Sequence, residues 1–334
     1  MSPPTATLAF EAPPAWRDPE DSGEETARLK EEIRALARRK NAVILAHNYQ
    51  LPRVQDVADI LGDSLALAMK AKETRAERIV FCGVHFMAES AKILNPEKKV
   101  LLPNLAAGCA LADSITPESL EDWKARYPGH VVVTYINSSA EVKALSDICC
   151  TSANAVSVVR SLPERKVLFT PDKNLGRWVK AQVPEKDVVV YDGVCPTHDV
   201  LRGASLDLEK RRHPDAVVIA HPECREDILE IADEICSTSG MFDAVARHPE
   251  ARTFIVATEW SLVYRLKMTY PEKEFVMADG CIGCRLHCPY MKMVDLEHVK
   301  RSLEEDVFEI RVPESVARDA RRSLERMLAV PRDR

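Results

Sequence analysis

The sequence has no long apolar run, no surplus of positive charge and no glycine-rich phosphate loop, and each absence removes a class of function. Its uninterrupted apolar stretches, such as Ala42–Ala46, fall far short of the roughly 20 residues that span a bilayer. No basic segment followed by an apolar run stands near Met1, so no secretory signal is expected and the expected location is cytoplasmic. A formal net charge of −6 over 334 residues argues against a nucleic-acid surface, and more weakly against a membrane surface. Neither Gly-x-Gly-x-x-Gly nor a Walker-type loop occurs, which speaks against a nicotinamide or ATP enzyme.

What is present is ordinary globular composition, 46% apolar and 29% charged, with ample length for a large core. Ten cysteines is a high count for such a chain. In a chain of this size with no signal segment they read as metal or redox ligands rather than as a disulfide framework. Residues 1–23 carry five prolines and scattered acids and read as a disordered tail.

From Glu25 to Lys40 the apolar residues Leu29, Ile33, Leu36 and Ala37 recur at helical spacing. Beyond them a unit repeats: a short apolar run, a polar turn, a helical stretch. The runs are Ala42–Ala46, Ile79–Phe81, Val100–Leu102, Val131–Val133, Val167–Phe169, Val188–Val190, Val217–Ala220, Phe254–Ala257 and Phe275–Ala278. Rich in Val and Ile and apolar on both faces, they predict parallel strands covered by helices, hence the α/β class. Thr116-Pro117-Glu118 is a helix start, a cap followed by proline at the first helical position.

Three of these runs lead into a glycine and then a cysteine, at Gly108-Cys109, at Gly193 with Cys195, and at Gly280-Cys281. Cys109, Cys195 and Cys281 are each 86 residues apart. That period predicts three similar small domains, each offering its strand ends to a shared centre, where open parallel sheets bind ligands. The expected divisions are 24–105, completed by 289–334, then 106–190, then 191–288 with the cysteine-rich loop.

The turns after the strands are rich in hydrogen-bonding groups: His47-Asn48-Tyr49, His85, Tyr135-Ile136-Asn137-Ser138-Ser139, Thr151-Ser152, Thr170-Pro171-Asp172, His198, His221-Pro222-Glu223, Ser237-Thr238-Ser239 and Thr258-Glu259. Hydroxyls and amides at helix N-termini suit carboxylates and phosphates. Taken singly, each is better explained as a helix cap or a structural hydrogen-bonder; taken together, on one rim of the sheets, they outline a site.

Cys281-Ile282-Gly283-Cys284 and then Cys288 form the sharpest local signal. One Cys-x-x-Cys pair is half of what structural zinc usually takes, and it suits a redox disulfide between Cys281 and Cys284 equally well. A third thiol favours an iron–sulfur cluster; with only three protein ligands, one iron stays open as a Lewis acid. Cys82, Cys149, Cys150, Cys224 and Cys236 sit in or beside expected strands and read as small buried hydrophobes.

At this point the residues resemble a known family, quinolinate synthase of NAD biosynthesis. The matching pieces are Ala46-His47-Asn48-Tyr49, Gly62-Asp63-Ser64-Leu65, Tyr135-Ile136-Asn137-Ser138, Cys150-Thr151-Ser152-Ala153-Asn154, Cys195-Pro196-Thr197-His198, His221-Pro222-Glu223-Cys224, Ser237-Thr238-Ser239-Gly240-Met241 and Cys288-Pro289-Tyr290-Met291, running from about Ala42 to Glu304. The resemblance implies three Rossmann-like domains in pseudo-threefold arrangement around a central active site. It implies a transferase or lyase-type enzyme that condenses iminoaspartate with dihydroxyacetone phosphate to quinolinate, with loss of phosphate and two waters, on one [4Fe-4S] cluster. An L-aspartate oxidase is the partner expected to supply iminoaspartate. By position, the cluster ligands are Cys109, Cys195 and Cys288, and the substrate contacts are His47, Ser64, Tyr135, Asn137, Ser152, His198, His221, Glu223, Ser237 and Thr238. Glu223 is the candidate general base, Tyr49 and Tyr135 candidate proton relays, and His198 a donor to substrate oxygens. Repeat spacing points to Cys281 as the third ligand, whereas the resemblance, through the Pro-Tyr-Met after Cys288, implies Cys288; Cys281 and Cys284 are then a candidate disulfide switch. Two alternatives stay open at this level: an iron–sulfur reductase of isoprenoid synthesis with a similar three-lobed plan, and a zinc-stapled binding protein with no chemistry.

Overall fold

Strands apolar on both faces are stable only where helices cover both sides of a parallel sheet. The computed structural model describes residues 23–278 and 286–333 and meets that requirement three times. The proline-rich segment through residue 22, and with it the expected tail, lies outside the described residues, as do Cys281 and Cys284. The first lobe holds β1 (Ala42–His47), β2 (Ile60–Gly62), β3 (Arg78–Cys82) and β4 (Lys99–Leu101) in the order β2-β1-β3-β4. The second holds β5 (Val131–Tyr135), β6 (Ile148–Cys150), β7 (Lys166–Thr170) and β8 (Asp187–Val190) in the order β6-β5-β7-β8. The third holds β9 (Val217–Ala220), β10 (Glu234–Ile235), β11 (Thr253–Ala257) and β12 (Glu274–Met277) in the order β10-β9-β11-β12. Every pairing is parallel. The chain is α/β with three sheets of one topology, as the strand pattern and the cysteine period predict.

All nine expected strands are present. The three that sequence reasoning did not foresee, β2, β6 and β10, are the same strand of each sheet, the outer one beside the first. They are two or three residues long, too short to carry any periodicity. A side chain rather than the sequence pattern holds each in place. In the first lobe the Asp59 carboxylate accepts the Ile44 N–H at 2.8 Å, while the Asp59 N–H donates to the Ile44 carbonyl at 2.9 Å. Asp147 does the same to Val132 at 2.8 and 3.1 Å, and Asp233 to Val218 at 2.8 and 2.9 Å. In each case the aspartate follows its partner by 15 residues. The clasp satisfies both backbone groups at the start of the first strand, where the sheet edge would otherwise leave them buried and unpaired.

The core lies between sheets and helices in each lobe, and Phe81, Phe169 and Phe254 on the third strands are among its largest fully buried side chains. The helix Glu24–Arg39 packs on the helix Leu296–Glu305, and residues 308–310 run beside β4, with the Leu102 N–H donating to the Phe308 carbonyl and the Ile310 N–H to that of Val100. The last helix, Glu314–Leu328, lies across two lobes, against Ala140–Ala144 and β6 of the second and His85–Leu94 of the first. The helix start at Thr116-Pro117 is built as expected, with a reciprocal capping box to Ser119. No described helix is long and apolar enough to cross a membrane.

The clasp sets a cost for its removal. Asp147→Ala leaves the N–H of fully buried Val132 unpaired, and should destabilise the chain by about 1–3 kcal/mol. The measurement is the urea midpoint at unchanged slope; an unshifted midpoint would show that water replaces the clasp.

Candidate active site

Because all three sheets are parallel and share one topology, the residues that follow equivalent strands fall into matched triplets. His47, Tyr135 and His221 sit at the ends of β1, β5 and β9; Tyr49, Asn137 and Glu223 stand two residues on; Ser64, Ser152 and Thr238 follow the outer strands β2, β6 and β10. The interval is 88 residues between the first and second lobes and 86 between the second and third. Cys109, Cys195 and Cys288, each following the last strand of one sheet, come later and keep the order but not the interval. All twelve side chains line one cavity of about 620 Å³, counting the space open toward solvent.

Thirteen of the sequence-predicted residues meet there: these twelve and His198. Ser237 does not line the cavity. Its hydroxyl caps the helix Thr238–Arg247 by accepting the Gly240 N–H at 3.2 Å, and donates to Asp63 at 3.0 Å. His85 is also placed apart, half exposed and 3.6 Å from Glu89. Cys281 and Cys284 lie outside the described residues.

Polar contacts in the cavity centre on Glu223, which is 3% exposed. Its Oε2 lies 2.8 Å from His198 Nδ1 and 3.5 Å from His221 Nδ1, the Asn137 amide donates to its Oε1 at 3.5 Å, and the Tyr135 hydroxyl hydrogen-bonds the carboxylate. Burial works to raise the Glu223 carboxyl, but the two imidazoles and the tyrosine outweigh it and hold it at about 2. His198 turns its other nitrogen to Thr258 Oγ1 at 2.9 Å, and the Tyr49 hydroxyl reaches both Thr258 and, at 3.4 Å, His198 Nε2. A continuous polar chain thus runs Glu223–His198–Thr258–Tyr49. Burial lowers His47 to about 4 and His221 to about 3, keeping both imidazoles neutral near pH 7. Burial raises Tyr49 and Tyr135 well above the usual phenol range, so both keep their protons as donors.

The thiols occupy an equally constrained setting. Burial pushes Cys109 up to about 12 and raises Cys195 and Cys288, and none of the three has a disulfide partner among the described residues. Cys109 feels the charge of Cys288, and Cys195 that of both Cys109 and Cys288. The described cavity wall contains no lysine or arginine. Three soft donors that cannot ionise alone, in a wall without a cation, fit a bound iron–sulfur group that brings its own positive charge. Cys195 Sγ, His198 and Glu223 also come close enough together to hold a metal ion.

Behind the wall stand supporting residues, of which Asp172 and Glu259 were named only among the polar turns, while Asn174 and Lys292 escaped sequence reasoning. The position after β7 is Asp172 and after β11 Glu259, both fully buried. Asp172 Oδ2 accepts the Cys195 N–H at 3.2 Å, and Glu259 Oε1 accepts the Cys288 N–H at 3.3 Å. Lys292 neutralises Glu259 at 2.7 Å. The first lobe has Val84 at this position. Asn174 ties the Glu223 carbonyl, at 3.1 Å, to Asp199, at 3.0 Å. The equivalent place of Asp172 and Glu259 after a third strand, beyond their turn chemistry, is visible once the lobes are superposed by number.

Comparison with known proteins agrees in extent. The family model described as Quinolinate synthetase A protein matches residues 31–329. The chain is 52% identical over 305 residues to the quinolinate synthase of Pelobacter propionicus, covering 91% of this chain and 99% of that one. It is 51% identical over 305 residues to that of Geotalea uraniireducens, with 91% and 98% covered, and 45% identical over 306 residues to that of Aquifex aeolicus, with 91% and 95% covered.

The neutral buried histidines make stability depend on pH. His47 and His221 are lowered from 6.5 to about 4 and about 3, so below pH 6.5 the unfolded chain binds protons that the folded one refuses. Stability is therefore complete above about pH 6.5 and is lost as the pH falls toward 4. Urea midpoints of metal-free protein should fall across that window, and His221→Gln should flatten the fall; an equally steep fall in the variant would contradict neutral burial of His221.

Proposed function

The chain belongs to the quinolinate synthase family, and on that premise we propose that it condenses iminoaspartate with dihydroxyacetone phosphate to quinolinate, releasing phosphate and two waters, in the cytoplasmic synthesis of pyridine nucleotides. The observation that carries the reading is the convergence of three hydroxyls, two neutral imidazoles, a buried carboxylate and three thiols, drawn from all three lobes, on one cavity. Both substrates are small anions, and the wall offers them donors in place of cationic side chains.

Each group then has a task. Ser64 and Thr238 are the first residues of ten-residue helices, where free N–H groups and the helix dipole favour carboxylate or phosphate oxygens; Ser152 supplies the equivalent hydroxyl of the second lobe. The Oδ1 of Asn137 is buried without a partner among the described residues and is an acceptor for the substrate N–H. Neutral His47 and His221 donate to carboxylate or carbonyl oxygens. A carboxylate held near 2 is a weak base by itself, which alters the role expected of Glu223 from its sequence position. In this reading its charge orients His198, and the Glu223–His198 pair takes the proton that Thr258 and Tyr49 relay. Burial of Glu223 and His198 keeps these hydrogen bonds strong.

Cys109, Cys195 and Cys288 would hold a [4Fe-4S] cluster. With three protein ligands, such a cluster supplies Lewis-acid help in expelling water. Support for Cys288 over Cys281 comes from its backbone N–H, which is held by Glu259 as that of Cys195 is by Asp172.

Two experiments check the reading. Glu223→Gln should lower the rate of quinolinate formation by about two to four orders of magnitude, with the cluster retained; turnover near the wild-type rate would remove Glu223 from the chemistry. In anaerobically purified Cys109→Ala, Cys195→Ala and Cys288→Ala, iron and sulfide should fall to a small fraction of wild type, and full loading of any one would exclude that cysteine as a ligand.

A further inference from the structure

Asp63 serves three partners at once. It caps its own helix by accepting the Ala66 N–H at 2.9 Å. It accepts the Ser237 hydroxyl, the cap of the equivalent helix in the third lobe, at 3.0 Å. It also receives a two-pronged contact from the Arg332 guanidinium, at 2.7 and 2.9 Å. The next residue turns to the second lobe. The Asp333 carboxylate accepts the Val156 and Ser157 N–H groups at 3.1 and 2.7 Å, at the start of the helix Ala155–Ser161, and the Asp333 N–H donates to the Ala153 carbonyl at 2.7 Å. Asn154 closes the loop by donating to the carbonyls of Met327 and Val330 at 3.2 and 3.3 Å. Two consecutive residues thus tie the starts of one helix from each lobe, and these are the helices that begin at or just after Ser64, Ser152 and Thr238. Both residues lie beyond residue 329, where the family match ends.

We propose that Arg332 and Asp333 form a strap that keeps the hydroxyls of Ser64, Ser152 and Thr238 in register for the oxygens of an anionic substrate, with Arg332 a positioning residue for substrate affinity. The proposal rests on the reading that this cavity binds substrate carboxylate and phosphate. An exposed ion pair ordinarily does little beyond a small gain in stability. This one differs because the Asp63 side chain is 5% exposed and lines the cavity. Without Arg332 its negative charge stands uncompensated in the wall that must receive an anion, and its hold on Ser237, and through that cap on Thr238, loosens. Arg332 therefore acts twice, by neutralising Asp63 and by fixing its two oxygens. Lysine replaces only the first action, because an ammonium cannot fork across a carboxylate.

The test compares wild type, Arg332→Ala and Arg332→Lys as cluster-loaded enzymes. It measures kcat and KM for dihydroxyacetone phosphate, and the dissociation constant of quinolinate by calorimetry. Arg332→Ala should raise both KM and the dissociation constant about tenfold with kcat changed by no more than about twofold, and Arg332→Lys should fall between. Melting temperature and iron content show whether each variant is folded and loaded, and the lysine variant carries the comparison if the alanine variant is not. Quinolinate formation by the wild type tests the functional reading on its own, while the variant-to-wild-type ratio of dissociation constants tests the strap. A ratio near one in folded protein overturns the proposal, as does a loss of kcat at unchanged KM.

Discussion

A carboxylate with almost no contact with water must be balanced by its neighbours, and Glu223 is balanced by side chains that no single lobe could supply. His198 and His221 face it at 2.8 and 3.5 Å, and Tyr135 and Asn137 arrive from the second sheet. Removing a partner while the carboxylate stays buried would leave its charge uncompensated, a penalty of several kcal/mol. The same contacts that hold the centre together thus give Glu223 its ionised state and His198 its orientation. Thr258 and Tyr49 extend the network across the cavity to the first lobe.

Three copies of one backbone plan make this economical. Parallel strands deliver their carboxyl ends to one face, and three sheets with the order 2-1-3-4 deliver them to one point. The backbone devices repeat: the aspartate clasp is present in every lobe. The side chains at matched positions have diverged according to task. The outer-strand triplet remains hydroxyl in all three lobes, as suits anion oxygens, while the first-strand triplets differ as His, Tyr, His and as Tyr, Asn, Glu. A wall with no lysine or arginine among its described residues can hold three thiolates only with a cationic group between them, so the cysteine end and the hydroxyl end of the cavity suit different ligands.

Much of this was legible in the sequence. Val- and Ile-rich runs marked nine strands because burial on both faces leaves a compositional trace, and thirteen cavity residues could be named from turn chemistry and family resemblance. What stayed hidden has physical reasons. Strands β2, β6 and β10 are too short for a pattern and depend on an aspartate side chain. The 88- and 86-residue register becomes informative only when strands can be matched by pairing. Ser237 was placed among the substrate contacts because a serine at a helix start has the same signature whether its hydroxyl faces a ligand or a neighbouring carboxylate. Glu223 is expected as a base because the sequence gives no hint that the imidazoles of His221, two residues before it, and His198, 25 residues before it, both face its carboxylate. Asp172, Glu259 and Arg332 act through partners distant in the chain, which no local motif encodes.

The central claim is that each lobe contributes one thiol and one hydroxyl to opposite needs of a single cavity. Its most direct test is a crystal structure of anaerobically prepared protein with quinolinate bound, read with iron anomalous scattering. The account predicts one iron peak cluster coordinated by Cys109, Cys195 and Cys288, and product carboxylates on Ser64, Ser152 and Thr238. Iron held by Cys281 and Cys284, or product bound away from the three hydroxyls, would contradict it.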